Sequence, residues 1–189
     1  MDHSVFAIEL CLRLEPRSRV RDELRRLVVS HPARTGIKQK GELLRKISEI
    51  LGESSDLFAM GCWDFFDDDD RARSDYHMWA NGMITEEGAR EQPSGFPQGS
   101  GEPRYMTFTA ALLLVNGHAT ERALADACKT PENQLWKRET FKKVLKALGR
   151  VDFAGVKSDV LYLIPGEEDW GLTEDDLKLP KFEYLRPIE

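Results

Sequence analysis

Four consecutive aspartates, residues 67–70, follow two phenylalanines in WDFFDDDDRARSDYHMWANG, and His77 stands seven residues beyond the last of them. Carboxylates beside a histidine suggest divalent-cation binding or acid–base hydrolysis. A calcium loop needs oxygen ligands at positions 1, 3 and 5, Gly at 6 and Glu at 12. Counting from Asp67 gives Asp69, Arg71, Ala72 and Met78 at those later positions, so a cation would sit inside the site and the Gly and Glu are missing. Paired-carboxylate hydrolysis needs two acids held at a set distance on rigid elements, and adjacent aspartates point in different directions. The stretch reads instead as the cap and solvated start of a helix. One of Asp68, Asp69 or Asp70 accepts backbone N–H bonds, and the others favour the positive helix end by about 0.3–1 kcal/mol each.

The remaining chemistry is sparse. Cys11, Cys62 and Cys128 lie far apart with no CxxC pair, which fits reduced core thiols better than a disulfide frame. His3, His31, His77 and His118 are isolated, and no HExxH, GxSxG, GxxxxGK[ST] or GxGxxG spacing occurs. The glycines of GFPQGSG precede a strand, whereas phosphate-cradling loops precede a helix. One catalytic arrangement stays open: Glu9, Cys11, Thr107 and Thr109 fall on the polar side of two predicted strands. Cys11 would be the nucleophile there, and it would need a base and a lowered pKa. A different reading concerns Trp170 in GEEDWG. With Glu167, Glu168 and Asp169 it makes an aromatic anchor with an acidic rim, suited to a protein partner or a homodimer with basic groups opposite. The alternative places Trp170 against its own domain.

The 189 residues suit one domain, with 41% hydrophobic and 32% charged. A net charge of -6 disfavours generic nucleic-acid binding, which needs a basic footprint. Residues 13–26 hold six arginines against Glu15, Asp22 and Glu23, which reads as a solvated helix face or an anion-binding one. The N-terminus lacks a basic region and a long apolar run, and no window reaches about 18 apolar residues. The expectation is a cytoplasmic chain without a membrane span.

These residues must be positioned by regular elements. SVFAIELCLRLE alternates, with Phe6, Ile8, Leu10, Leu12 and Leu14 on one face, and predicts a strand. Val20, Leu24, Leu27 and Val28 stripe a first helix. Leu43, Leu44, Ile47, Ile50 and Leu51 stripe a second, which Gly52 is expected to stop. Residues 56–66 predict a second strand and 71–88 a third helical region. A flexible Gly/Pro loop follows at about 91–104. YMTFTAALLLVNG predicts a third, central strand. Thr120 is expected to cap a short helix, and Asn133 another with Trp136, Phe141, Val144, Leu145 and Leu148 facing in. SDVLYLIPG predicts a fourth strand. LTEDDL has a Thr-x-x-Asp capping pattern, and an extended or irregular tail follows.

YMTFTAALLLVNG and VLYLIPGEEDWGLTEDDL, with SDLFAMGCWDF ahead of them, resemble the domain of unknown function 1517 family of cyanobacterial, plastid and other bacterial proteins. Tyr105, Thr107, Thr109, Pro165, Asp169, Leu172, Thr173 and Asp176 carry the resemblance, and Ile164 stands where the family pattern tends to have Trp. The family has no established catalytic residues to transfer. Many members carry a Gly-rich or membrane-spanning segment ahead of this domain, whereas this chain begins directly with the first strand.

The expectation is therefore an α+β fold spanning residues 1–189. It has about four strands, helices packed mainly on one face, and two similar strand-helix-helix-strand halves. The leading function is a non-enzymatic interaction or regulatory domain with no metal or cofactor. The alternative is an enzyme on the mixed face of the sheet.

Overall fold

A computed structural model describes residues 2–15, 18–29, 36–81, 104–166 and 171–189. Its centre is an antiparallel sheet of five strands, where the sequence pointed to about four. They are β1 (His3–Leu14), β2 (Phe58–Phe66), β3 (Arg104–Val115), β4 (Val156–Ile164) and β5 (Arg186–Pro187), in the order β4-β3-β1-β2-β5. The extra strand comes from the tail expected to be extended or irregular, of which two residues are extended and paired. Met60 pairs with Pro187 and Gly61 with Arg186, so two residues cover part of the β2 edge.

The helices are α1 (Arg19–Val29), α2 (Ile37–Glu53), α3 (Asp69–Asn81), α4 (Ala119–Cys128) and α5 (Arg138–Leu148). The two halves are arranged alike. β1 and β3 pair from His3↔Val115 to Leu14↔Arg104, and β2 and β4 flank them, each reached from its partner strand through two helices. α3 and β5 stand outside that pattern.

Four of the five described helices pack on one face. The even-numbered β1 residues Phe6, Ile8, Leu10 and Leu12 meet Leu24 of α1, Ile47 and Leu51 of α2, Leu124 of α4 and Phe141 of α5 in one buried cluster. Period-two alternation on the strand and a three-to-four-residue stripe on each helix present those side chains to the same layer. Burying each Leu or Ile there contributes about 1.5–3 kcal/mol. Gly61 lets the layers approach closely, because a Cβ on it would lie 2.7 Å from the Phe141 ring and 2.9 Å from Ile188.

Several helix ends differ from the sequence reading. α2 runs through Gly52 to Glu53, so that glycine lies within the helix. His118, not Thr120, caps α4, its ring nitrogen accepting from the Thr120 N–H at 3.2 Å. Asn133 belongs to a 3-10 turn, and α5 begins at Arg138. Trp136 precedes that helix and is 36% exposed, so it is not a core residue. Polar residues around each junction offer competing local bonds, and tertiary packing selects among them. The Thr-x-x-Asp pattern does form its reciprocal cap: Thr173 N donates to Asp176 Oδ2 at 2.7 Å and Asp176 N to Thr173 Oγ1 at 3.1 Å.

The second face of the sheet is covered in two parts. α3 lays Ala72 and Tyr76 against Val5, Leu113 and Phe66. Residues 171–185 cross the other end, where Leu172, Phe182 and Leu185 bury Cys11 and Tyr105. The third helical region is described to Asn81. The expected Gly/Pro loop lies outside the described residues apart from Arg104, which opens β3.

Candidate functional site

Between α3 and the C-terminal segment lies a polar row on the second face. Register sets it: Glu9 on β1 is opposite Thr109 on β3 and Cys62 on β2, and Thr109 is opposite Tyr162 on β4. The odd positions of β1 must face this side because the even ones fill the helix layer. Glu9 is 1% exposed. Its Oε2 accepts from the Tyr184 hydroxyl at 2.6 Å. Its Oε1 and the hydroxyl oxygens of Thr107 and Thr109 are buried without a hydrogen bond of regular geometry. The Tyr162 hydroxyl donates to the Trp79 carbonyl at 3.3 Å. The Trp79 ring meets Tyr184 edge-on, with centroids 5.7 Å apart.

Burial pushes the Glu9 carboxyl up to about 7. Donation from Tyr184, the nearby hydroxyls of Thr109 and Thr107, and the Lys181 charge each oppose that rise. The same burial, with the Glu9 charge adding to it, raises the Cys11 thiol to about 12 and Tyr162 to about 12. Tyr184 is raised too, chiefly by burial. The structure thus brings together all four predicted mixed-face residues, Glu9, Cys11, Thr107 and Thr109. It gives the thiol the opposite of nucleophile activation. Cys62 and Cys128 are also raised to about 12, mainly by burial.

Sequence reasoning missed Tyr162, Tyr184 and Trp79. Tyr162 carried little signal, since it shares its parity on β4 with Ser158, Val160 and Ile164. Tyr184 carried none, because its place depends on how the tail crosses the sheet.

The acidic stretch behaves as a cap. Asp68 Oδ1 accepts from Arg71 N at 2.9 Å and opens α3. Asp69 takes both the backbone N–H and ring nitrogen of His3 at 2.8 Å, with Arg73 Nε at 3.3 Å. The His3 ring bond is the largest influence holding the Asp69 carboxyl below the usual range. His77 is exposed. Among the described residues, no three His, Cys, Asp or Glu side chains converge as a metal site would require. Trp170, Glu167, Glu168 and Asp169 lie outside the described residues.

A second surface had no sequence signal. An open groove of about 750 Å³ runs between α2 and α5. Arg45, Lys142, Lys143, Lys146 and Arg150 line it with Glu49, Glu53 and Glu139, over a floor that includes Leu145, Ser48 and Gly149. Arg45 pairs with Glu49 at 2.8 Å and Lys142 with Glu139 at 3.0 Å. Lys146 and Arg150 have no acidic partner among the described residues.

These features define an α+β protein built on a five-stranded antiparallel sheet, with an enclosed carboxyl on one face and a cationic groove on the helix side. No described helix is long and apolar enough to cross a membrane. No family model, curated protein or solved structure matches the chain.

Proposed function

We propose that this chain is a non-catalytic, protein-binding regulatory domain whose α2/α5 groove takes an acidic segment of a partner. The groove carries this reading. Five cationic side chains line it with three acidic ones over a floor that includes Leu145, with Lys143 also reaching the Asp126 and Lys129 carbonyls, on a chain whose net charge is -6. A local excess of positive charge favours partners with a complementary acidic surface. The enzyme reading on the mixed face draws on Glu9 but lacks an activated nucleophile, since Cys11 is fully buried and its thiol is pushed up to about 12. The resemblance in the final third of the chain transfers no catalytic residue.

The test is fluorescence anisotropy with a labelled peptide of alternating Glu and Leu. Its carboxylates suit the walls and its leucines the floor. Binding should weaken as salt rises. Lys146→Glu combined with Arg150→Glu should weaken it roughly tenfold or more. Equal affinity in the wild type and the charge-reversed variant would remove the groove as the binding surface, and no binding by either would remove the reading.

A further inference from the structure

Residues 172–185 cross the second face of the sheet in a manner unlike the rest of the chain. They form no helix longer than two 3-10 turns, Asp176–Lys178 and Pro180–Phe182. Their backbone bonds are local, such as Phe182 N to Leu179 O at 2.9 Å and Leu185 N to Phe182 O at 3.0 Å. The exceptions stand at the start, where Leu172 N and Tyr105 O, and Tyr105 N and Leu172 O, exchange bonds at 2.7 and 2.9 Å. β5 then ties the far end to β2. Between those anchors the segment is held to the sheet by side chains: Phe182 and Leu185 over Cys11 and Tyr105, the Tyr105 hydroxyl on Glu174, the Tyr184 ring on Trp79 and the Tyr184 hydroxyl on Glu9. A segment attached by few backbone bonds opens at lower cost than the strands beneath it.

We propose that residues 172–185 are a strap whose closure over the sheet is coupled to protonation of Glu9, so that the strap loosens as pH rises from acid to neutrality. The contact is polar at two points, the Tyr184 hydroxyl on Glu9 and the Tyr105 hydroxyl on Glu174 Oε1 at 3.3 Å near the anchored start, and only the first encloses a carboxyl. Closed, the strap seals Glu9 from water, with one carboxyl oxygen on Tyr184 and the other without a regular partner. A neutral carboxyl tolerates that enclosure and a carboxylate does not. Opening returns Glu9 to water, where it ionises at its ordinary value.

The groups around Glu9 do not take over the titration. From the strap they are Tyr184 and Lys181, from β1 Cys11, from β2 Cys62, from β4 Tyr162, and from β3 the uncharged Thr107 and Thr109. From α3 it is Trp79, which reaches the site through Tyr184 and carries no charge. The cysteines and tyrosines are raised and stay neutral near pH 7. Lys181 is the cation whose charge acts on Glu9, favouring the carboxylate, and the Arg186 charge on β5 acts on neighbouring Cys62.

The sign follows from linkage. The enclosed Glu9 keeps its proton up to about 7 and the exposed one releases it near 4.5. Closure is therefore strongest below 4.5 and weakens up to about 7, with the opening constant rising roughly tenfold per pH unit in between. Each opening uncovers Cys11, Met60, Cys62 and Tyr105, a surface distinct from the α2/α5 groove, and openings are most frequent at neutrality and above.

Hydrogen–deuterium exchange on the full chain, corrected for intrinsic rates and read between pH 5 and 8, tests this. In the wild type the amides of Leu179, Phe182 and Leu185 should open more readily than those of β3. Their opening constants should rise roughly tenfold per pH unit up to about 7. Glu9→Gln should flatten that dependence. Tyr184→Phe removes a bond that favours the carboxylate, so it should carry the dependence to higher pH, and it keeps the ring that packs on Trp79. Strap amides that share the opening constant of β3, or a wild-type strap indifferent to pH, would overturn the proposal.

Discussion

The Tyr184 hydroxyl donates to Glu9 Oε2 across 2.6 Å, joining residues 175 positions apart. One belongs to the middle of the central strand and the other to the last crossing of the chain. The bond places a carboxyl, buried among apolar and hydroxyl groups, directly beneath the C-terminal segment.

Global stability should fall as pH rises from about 4.5 to about 7. Over that window the unfolded chain releases the Glu9 proton and the folded chain retains it. The raised carboxyl therefore contributes fully below 4.5 and loses its contribution by neutrality, roughly 3 kcal/mol in total. Urea unfolding at pH 5 and pH 8 should show this loss in the wild type and little of it in Glu9→Gln. Parallel pH profiles for the two proteins would mean that Glu9 is not the titrating group.

Gly61→Ala should destabilise by about 1–3 kcal/mol through overpacking. The new methyl would press on the fully buried Phe141 ring at 2.7 Å and on Ile188 at 2.9 Å. Phe141→Leu should partly relieve it, so that the double variant is more stable than the sum of the two single effects. Thermal melts of the four proteins check this, and strict additivity would show that the close approach is not what limits the site.

All three thiols should react slowly with a thiol reagent in the folded protein, since each is raised to about 12 against the ordinary 9. That lowers the thiolate fraction by roughly a thousandfold near neutral pH. Labelling followed by mass spectrometry should find Cys11 and Cys62 reacting together as the strap opens, with Cys128 following a different course. Rapid labelling of Cys11 at pH 6 would show an accessible thiol and revive the enzyme reading.

Asp68→Ala should cost about 1 kcal/mol, the usual loss for an N-cap whose oxygen meets a backbone N–H. Asp70→Ala should cost less, because the Asp68 cap remains. Chemical denaturation of both variants separates them. Calorimetry with calcium, magnesium and manganese should show only weak, salt-sensitive binding to this stretch. A stoichiometric micromolar site lost in Asp69→Asn would replace the capping account.

The fold was largely legible because alternation and stripes are local. Phe6, Ile8, Leu10 and Leu12 declare a strand with one greasy face, and Leu44, Ile47 and Leu51 declare a helix that must cover such a face. The caps were less legible. His118 displaced Thr120 and Asp68 led the acidic run, because several neighbouring side chains can satisfy the same N–H groups and packing selects one. β5 was invisible, since two residues, Arg186 and Pro187, carry no period and pair only because the tail reaches the β2 edge.

The sequence by itself determined that Glu9, Cys11, Thr107 and Thr109 would share a face, because the period of a strand is two and its other face had to be apolar. It could not determine that this face would be closed. That depended on residues 171–185 crossing it, and on register bringing Thr109 and Tyr162 beside Glu9 from strands distant in sequence. Enclosure sets the carboxyl's proton affinity, since desolvation depends on everything around a group and not on its neighbours in the chain. The cationic groove has the same origin: α2 and α5 each carry ordinary surface charges, and only their packing sets those charges across a common floor.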